Sequence, residues 1–216
     1  MEFNPIVLPP IVLPKGQRTS ERVLREALRM AGQFGFRGLT FGTLAQTVGL
    51  SKSGLFAHFA SMEDLQLQTL ALAEREWQDH ILRPALAEPR GMPRLRRLFE
   101  EWVGSIRSAE FPAGSVLISA SFEFDDIPPC LMRDAVLKGH REMTRLLERL
   151  TVQAVEAGHL DAGVDAAQFA FEFRGLIHAH HHQWKLLRVD AGASRARTAL
   201  DRLVAWSAPV RQRKTS

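Results

Sequence analysis

The chain has 216 residues, 45% of them hydrophobic and 24% charged, with a formal net charge of +4, a composition typical of a soluble globular protein that buries at least one full core. Cys130 is the only cysteine, so an intramolecular disulfide and a multi-cysteine metal site are excluded, and a reducing cytoplasm is the expected location. No apolar run approaches the roughly 18 residues that span a bilayer, so no membrane partner is expected.

The N-terminal segment, residues 1–17, repeats the tetrapeptide IVLP and contains prolines at positions 5, 9, 10 and 14. Proline favours the polyproline II conformation, and the segment lacks the preceding positive charge and the cleavage site of a signal peptide. It is therefore predicted to be an extended arm. At the other end of the chain, residues 209–216 are predicted to be a basic tail.

Positive charge is concentrated near the start of the chain. Residues 15–60 contain seven lysines and arginines but only two glutamates, whereas residues 61–216 contain 21 basic and 21 acidic side chains. This asymmetry is typical of a module that meets phosphates, joined to one that does not. A solvated arginine-rich face on one helix would give the same pattern, so charge alone leaves both interpretations open.

Apolar side chains recur at intervals of three and four residues, which predicts a first helix over residues 20–34. Thr19-Ser20 is its expected N-terminal cap, and Gly35 its expected end. A short second helix is predicted to begin after Thr40 and to end at Gly49, because glycine readily adopts the left-handed conformation that turns the chain there.

The second and third predicted helices, joined by a Gly-Leu-Ser turn, form a helix-turn-helix pattern. Leu55 and Phe59 lie four residues apart and are expected to hold the third helix against the first two. On its other side, Lys52 and the hydroxyls of Ser51 and Ser53 can meet phosphates or base edges of DNA. A helical bundle with a tight turn remains the alternative from the pattern alone.

A series of short motifs runs through residues 20–72. Its members are Gly35-Phe36, Thr40-Phe41, Leu44-Ala45, Gly49-Leu50-Ser51-Lys52, the aromatic pair Phe56 and Phe59, and Ser61, Glu63 and Leu65 at the capped start of a fourth helix. This series resembles the DNA-binding domain of TetR-family transcriptional regulators. The resemblance implies an all-α fold, binding to double-stranded DNA and no enzymatic activity.

The resemblance also implies which residues contact DNA. The predicted DNA-binding residues are Arg18, Thr40, Thr43, Ser51, Lys52, Ser53, Phe56 and His58. Three positions depart from the family pattern: Phe56 stands where tyrosine is frequent, Gly54 where threonine is frequent, and Met62 where lysine is usual. These departures keep open a helical adaptor protein that has lost DNA binding.

The predicted domains are a helix-turn-helix domain over residues 18–65 and a helical ligand-binding and dimerisation domain over residues 66–208. Helices are expected from Met62 toward Ala87, from Pro93, near Gly114, after Pro128-Pro129, after Asp165 and after Ser194. Residues 115–124 also have the β-branched and aromatic content of a strand. The resemblance to the family is weaker here and rests on Glu123-Phe124-Asp125-Asp126, Gly158-His159-Leu160 and residues 186–191.

Two apolar stripes near the C-terminus predict a homodimer. The predicted interface residues are Phe169, Phe173, Leu176, Ile177, His180, Trp184, Leu187, Leu200, Leu203 and Val204. Two such helices from each subunit would form a four-helix interface. A two-fold dimer would present two recognition helices to a palindromic operator.

The resemblance implies a small-molecule effector that releases a repressor from its operator. The candidate ligand-binding residues are Trp77, Phe99, Trp102, Phe122, His140 and Met143, each of which also suits the core. Because few of them are polar, an apolar or aromatic effector is expected. Such a ligand would act by favouring a geometry with poor affinity for DNA.

The segment HAHHHQW, residues 178–184, raises the alternative of a metal-responsive regulator. His178 and His182 are four residues apart, a spacing at which two imidazoles can bind one cation on a helical face. No carboxylate joins them within a turn, so core and interface histidines are the preferred interpretation, and no metal or cofactor is predicted. An enzyme that uses these histidines or Cys130 is the competing class, but the chain lacks paired carboxylates, a nucleophile elbow and a glycine-rich phosphate loop.

Overall fold

The computed structural model describes residues 15–109 and 112–209, apart from the side chains of residues 15–17 and 113. These residues form ten α-helices and one π-helical turn and contain no strand, so the predicted all-α class is confirmed. The helices are α1 (Lys15–Phe34), α2 (Phe41–Val48), α3 (Lys52–Phe56), α4 (Met62–Trp77), α5 (Arg83–Ala87), α6 (Met92–Ile106), α7 (Ala113–Glu123), α8 (Leu131–Glu156), α9 (Ala166–Lys185) and α10 (Gly192–Ser207).

The first helix is longer than predicted. It begins at Lys15, directly after the last proline of the N-terminal segment, rather than at a Thr19-Ser20 cap. Proline cannot donate the backbone hydrogen bonds of a helix interior, whereas residues 15–19 can. The predicted extended arm is therefore wrong for residues 15–17. Its residues 1–14, and residues 210–216 of the predicted tail, lie outside the described residues.

The caps of the next three helices are confirmed. Thr40 Oγ1 accepts a hydrogen bond from the Thr43 amide at 3.1 Å, and Ser51 Oγ accepts one from the Gly54 amide at 3.0 Å. Ser61 Oγ accepts one from the Asp64 amide at 3.0 Å. These bonds satisfy amides that have no partner within the helix. Gly49 has φ of 68°, the left-handed conformation expected of it.

The helix predicted from Met62 to Ala87 is interrupted by a π-helical turn at Gln78–Leu82. Pro84 explains the interruption, because it lacks the amide that would bond to the His80 carbonyl, and its ring would clash with that carbonyl. The backbone nevertheless stays helical through α4, the turn and α5. None of the described helices combines the length and apolar content that a membrane crossing requires.

Residues 115–124 are almost entirely helical, despite their strand-like composition. Val116, Leu117, Ile118 and Ala120 of α7 are all buried, so packing on several sides outweighs the weak β-propensity. Other predicted starts are displaced by one to three residues, since α6 begins at Met92, α8 at Leu131 and α10 at Gly192 rather than Ser194.

Cys130 is half-buried and caps α8, with its Sγ 3.5 Å from the Arg133 amide.

Helix α4 lies between the two ends of the molecule. It packs on α1 at one side and on α7 and α8 at the other, while α1 also contacts α7. Around α1 to α3 the core contains Val23, Leu44, Leu55 and Phe59, and between α6 and α9 it contains Phe99 and Phe173. A displacement of α4 would therefore affect both the helix-turn-helix and the C-terminal helices.

Candidate functional site

The third helix is held from one side, as the helix-turn-helix pattern predicts. Leu55 and Phe59 are buried, and α3 packs on α2, whereas the Phe56 side chain is 55% exposed. The Phe56 ring packs on Phe41, with 4.5 Å between the ring centroids. Since α3 is only five residues long, these contacts, rather than helix propensity, must hold it in place.

Five of the predicted DNA-binding side chains share one exposed surface, which we call the α2–α3 polar surface: Thr40, Thr43, Ser51, Lys52 and Ser53. The Thr40 and Thr43 hydroxyls are 2.8 Å apart, and the Ser51 and Ser53 hydroxyls are 2.9 Å apart. Each pair lies at the N-terminal end of its helix, where the helix dipole favours an anion such as phosphate.

Lys52 links the two helices of this surface. A Cβ built on Gly42 of α2 would lie 3.4 Å from Lys52 Cε and 3.7 Å from Lys52 Nζ. The same point is 3.8 Å from Thr40 Oγ1. The lysine side chain therefore crosses the start of α2 where glycine leaves room for it, and its ammonium group and the Thr40 hydroxyl each lie within 4 Å of that point. A single phosphate could contact both groups.

The other predicted DNA contacts have different surroundings. His58 follows the end of α3, is half-buried, and has its Nδ1 3.0 Å from Ser20 Oγ of α1. Its Nδ1 is thus engaged within the protein, which limits it as a reader of bases. Arg18 is exposed on the first part of α1. Contacts of all eight residues with DNA stay predictions.

A cavity of about 230 Å³ lies between α4, α7 and α8. Of the six candidate ligand residues, Trp77, His140 and Met143 line it. Phe99 and Trp102 do not, because they are buried in the core, where Phe99 packs on Phe173 and Trp102 on Trp77. Phe122 is 59% exposed and lies on the other side of α7, against His178. These three residues therefore do not line this cavity, because a sequence pattern does not tell the cavity-facing side of a helix from its other sides, and ligand contacts of all six residues stay predictions.

Glu74 is a lining residue that the sequence interpretation missed. It lies on α4 between Leu70 and Trp77, which line the same wall of the cavity. The sequence feature that could have identified it is a charged residue on an apolar helix face. A Cβ built on Gly139 of α8 would be 2.6 Å from Glu74 Oε1. Burial raises the pKa of Glu74, and the Glu142 carboxylate raises it further, while Lys138 opposes both.

His140 connects three helices at the edge of the cavity. Its Nε2–H donates to the Leu117 carbonyl of α7 at 3.2 Å, and its Nδ1 accepts from Arg174 Nη2 of α9 at 2.9 Å. These two bonds require the neutral ring, and burial lowers the pKa of His140, the positive charge of Arg174 adding to the effect. His140 therefore positions the cavity walls and adds no positive charge to them.

The turn between α1 and α2 is bound to the C-terminal end of α7. Glu123 Oε2 accepts a hydrogen bond from the Phe36 amide at 2.8 Å, and Glu123 Oε1 accepts one from the Arg37 amide at 2.6 Å. Because α7 also supplies Leu117 and Ala120 to the cavity wall, a shift of α7 would be transmitted to this turn. A second link joins Lys185 Nζ of α9 to the Gly32 carbonyl of α1 at 2.5 Å.

Most of the predicted dimer stripe faces the interior of the protomer. Phe169, Phe173, Ile177 and His180 are buried; the Phe173 ring lies 5.2 Å from that of Phe99, and His180 Nε2 is 3.2 Å from the Val103 carbonyl. Leu200 and Leu203 of α10 are buried as well. Phe169, Phe173, Ile177, His180 and Leu200 thus pack against the protomer's own helices, which argues against their part in the predicted interface, whereas Leu203 also lines a groove on the outer side of α9 and α10.

The remaining predicted interface residues are more accessible. Leu176, Trp184 and Val204 are half-buried and Leu187 is exposed, while the Arg107 guanidinium lies 4.5 Å above the Trp184 ring. On the outer side of α9 and α10, Phe171 is 73% exposed and Trp206 is 78% exposed. A groove between the two helices is lined by Glu172, Gly175, Leu176, Ala199, Arg202, Leu203 and Trp206.

The histidine segment is engaged within the protein. His181 Nε2 is 3.1 Å from Ser115 Oγ and 3.3 Å from Ser119 Oγ, and the His178 ring packs on Phe122. Burial lowers the pKa of each to about 4, assisted by Arg174 at His178 and by Lys185 at His181. Within the described ranges, no three histidine, cysteine or carboxylate side chains lie close enough together to hold a metal.

Two family models match the chain. The model described as bacterial regulatory proteins of the tetR family matches residues 23–69, and the tetracyclin repressor-like C-terminal domain model matches residues 91–200. The first range includes the helix-turn-helix, and the second includes α7 and α8, which line the cavity together with α4. No curated protein sequence matches the chain.

Solved structures share the fold at low sequence identity. A TetR transcriptional regulator from Chloroflexus aurantiacus superposes with a TM-score of 0.78 and 20% identity, covering 90% of this chain and 96% of that one. AibR in complex with isovaleryl coenzyme A and operator DNA superposes with a TM-score of 0.66 and 18% identity, covering 86% of this chain and 96% of that one. A transcriptional regulator from Saccharomonospora viridis in complex with choline superposes with a TM-score of 0.74 and 18% identity, covering 87% of this chain and 96% of that one.

These identities establish a shared fold, and the family models establish the family. The chain belongs to the TetR family, whose members are ligand-responsive DNA-binding transcription regulators, generally repressors, and not enzymes.

Proposed function

We propose that this protein is a homodimeric repressor that binds a palindromic operator through the α2–α3 polar surface and leaves it when a small, largely apolar effector enters the cavity. The observation that carries the proposal is the position of α4, which packs on α1 and also forms one wall of the cavity. A ligand that fits only one arrangement of α4 would bias the position of the helix-turn-helix by its differential affinity for the two arrangements.

On the DNA side, the proposal assigns backbone positioning to Lys52, Thr40 and Thr43, and base recognition to α3. Four hydroxyls and one ammonium group are exposed together, and each can contact phosphate. Ser53 and the small residues beside it let the α3 backbone approach the major groove closely. His58 would contribute through Nε2 only, since its Nδ1 is engaged by Ser20.

The contact between Glu123 and the α1–α2 turn is the second element of the proposed response. The carboxylate accepts two backbone amides, and such charge-assisted bonds are stronger than neutral ones. Movement of α7 on ligand binding would pull this turn relative to α4. The recognition helices of the two subunits would then no longer fit half-sites on one face of the duplex.

The dimer surface that we propose is the outer side of α9 and α10 rather than the buried stripe. It presents Phe171 and Trp206 beside a groove floored by Gly175 and Ala199, whose small side chains allow close helix packing. Exposed aromatic side chains next to a groove are typical of interface centres. A two-fold axis through this face would pair α9 and α10 with their copies in a four-helix bundle.

Solved relatives of the same fold bind different molecules, isovaleryl coenzyme A in AibR and choline in the Saccharomonospora viridis regulator. Ligand chemistry therefore varies within this architecture, and the effector has to be inferred from the cavity of this chain. Eight of the fourteen residues that line it are apolar, and one of these is Trp77, so an apolar or aromatic body is the best fit.

The experiment is a fluorescence anisotropy titration of the full chain against duplexes from the region upstream of its own gene, over a salt series. Affinity should fall steeply with salt, as expected when lysines and arginines replace phosphate counterions. Lys52→Gln should weaken binding to operator and random duplexes alike and reduce the salt slope by about 1. Ser53→Ala should instead change base preference.

Lys138→Gln is the matched control, because Lys138 is an exposed lysine on α8, away from the α2–α3 polar surface. It should leave DNA affinity unchanged. If the wild-type chain binds no duplex, or if Lys52→Gln and Ser53→Ala both behave like Lys138→Gln, the assignment of the α2–α3 polar surface is wrong. A helical adaptor would then be the better description.

A further inference from the structure

We propose that the effector of this regulator is an organic cation, an amine or quaternary ammonium with an apolar body, which the carboxylate of Glu74 and the indole of Trp77 hold in the cavity between α4, α7 and α8. The inference rests on the proposed function for the position of the effector site, and it names the chemical class that the site takes.

The first observation is that the Glu74 carboxylate has no hydrogen-bond or ion-pair partner among the described residues. It is half-buried, and no described residue donates a hydrogen bond to its carboxylate or lies within ion-pair distance of it. A carboxylate partly withdrawn from water without a hydrogen-bond donor or an ion-pair partner is unfavourable, and burial raises the pKa of Glu74 accordingly. The exposed Lys138 lowers this pKa in part but forms no ion pair with Glu74, and water screens its charge. A bound cation would supply the missing partner.

The second observation is the wall around this carboxylate. Trp77 lies one helical turn after Glu74 on α4, so both side chains share a face, and both line the cavity. Trp77 is buried, and its indole Nε1–H has no partner among the described residues. Aromatic faces, tryptophan above all, attract ammonium groups, and the attraction is stronger when water is excluded.

The third observation is the charge of the lining. Glu142 is a second carboxylate in the wall, and His140 is held neutral by its bonds to Leu117 and Arg174. Arg149, the cation among the described lining residues, is exposed, so water screens it. An anionic ligand would meet two carboxylates. A neutral ligand would remove water from Glu74 without replacing it.

Gly139 is part of the same arrangement. The Glu74 carboxylate lies over it, at 2.6 Å from where a Cβ would stand. Any larger residue at position 139 would displace the carboxylate, which is the movable end of a flexible side chain. The α8 backbone therefore leaves room for Glu74 at this place in the cavity.

The test compares ligands of the same shape and different charge on the full chain. The probes are benzyltrimethylammonium, its uncharged carbon isostere neopentylbenzene, and 3-phenylpropanoate, with binding followed by tryptophan fluorescence and confirmed by calorimetry for the soluble probes. We expect benzyltrimethylammonium to bind at least about tenfold more tightly than either of the others, which corresponds to one ordinary charge-assisted contact.

Two variants locate the site. Glu74→Gln keeps the shape of the side chain and removes its charge, and it should weaken cation binding about tenfold while leaving neopentylbenzene binding unchanged. Gly139→Ala should also weaken cation binding, through displacement of the carboxylate. Asp134→Asn is the matched control, since Asp134 is an exposed carboxylate of α8 that does not line the cavity, and it should have an effect of about twofold or less.

Equal binding of the charged and uncharged probes, preference for 3-phenylpropanoate, or unchanged cation binding in Glu74→Gln would each overturn the inference. Circular dichroism and DNA affinity without ligand show that the variants are folded. A chain that binds its operator but not the cation contradicts this inference and leaves the proposed function intact. A chain that binds the cation through Glu74 but no DNA contradicts the proposed function instead.

Discussion

The helix-turn-helix and the helix α9 offered similar sequence patterns, and the structure uses them in opposite ways. In α3, a short helix, Leu55 is buried together with Phe59, which follows the helix, and the polar side is exposed. In α9, which contacts α6, α7, α8 and α10, the apolar stripe with Phe173 lies inside the protomer. An apolar stripe thus shows which side of a helix is buried, but not whether its own chain or a second copy buries it.

The largest effect should come from Phe173→Ala. The side chain is fully buried between α6 and α9, so its removal should lower the free energy of unfolding by about 3–5 kcal/mol. Urea denaturation at several protein concentrations measures this. If the variant keeps its stability but its unfolding no longer depends on protein concentration, Phe173 lies at the subunit interface and this prediction is wrong.

Leu55→Ala tests the clamp on α3. It removes a fully buried side chain and should cost about 2–5 kcal/mol, with loss of DNA binding because α3 is no longer held. Phe56→Ala is the matched comparison, because the Phe56 side chain is exposed. Its described aromatic contact is with Phe41, and loss of that contact should lower the free energy of unfolding by about 0.5–1.5 kcal/mol. Similar losses of stability in both variants would contradict a helix held from one side.

Phe171→Glu tests the outer side of α9. Because Phe171 is 73% exposed, the substitution should leave the protomer folded, while a charge at the interface centre should weaken dimerisation by about 2 kcal/mol or more. Sedimentation velocity over a dilution series measures the subunit equilibrium. An unchanged equilibrium would place the dimer contact elsewhere on the surface.

Glu123→Ala tests the connection between the two regions. Loss of the carboxylate leaves the Phe36 and Arg37 amides without their acceptor, and the cost should be about 1–3 kcal/mol. Operator affinity should change little, whereas the response of that affinity to effector should shrink. Anisotropy titrations with and without effector give both quantities, and an undiminished response would exclude Glu123 from the coupling.

A pH dependence of stability should come from His178 and His181. Burial lowers the pKa of both to about 4, below the ordinary value of 6.5, so the unfolded chain takes up protons first. Their contribution to stability is complete above pH 6.5 and is lost progressively as the pH falls toward 4. The free energy of unfolding, measured by urea denaturation, should differ less between pH 7.5 and pH 5 in the double variant His178→Gln/His181→Gln than in the wild type.

Local features of the fold could be predicted because neighbouring residues decide them. The caps at Thr40, Ser51 and Ser61 and the left-handed Gly49 depend on side chains within a few residues, and all are confirmed. The start of α1 was wrong because a plausible cap at Thr19-Ser20 does not stop a helix from extending toward the preceding proline.

Features that join distant parts of the chain could not be predicted in the same way. Glu123 binds amides 86 and 87 residues earlier, and Glu74 lies over Gly139 of another helix. Nothing in the local sequence of Glu123 marks it as the acceptor for the α1–α2 turn. Phe99 and Trp102 had the composition of a ligand site and proved to be core, because α6 turns them toward α9 and α4.

The sequence by itself determined the helices, their caps and the family, since these depend on short-range hydrogen bonding, periodicity and motif spacing. Only the tertiary structure decided which apolar faces are internal, which side chains line the cavity, and that the Glu74 carboxylate has no hydrogen-bond or ion-pair partner among the described residues. The physical reason is that burial and pairing depend on the other helices packed against a residue, and a one-dimensional pattern does not contain that information.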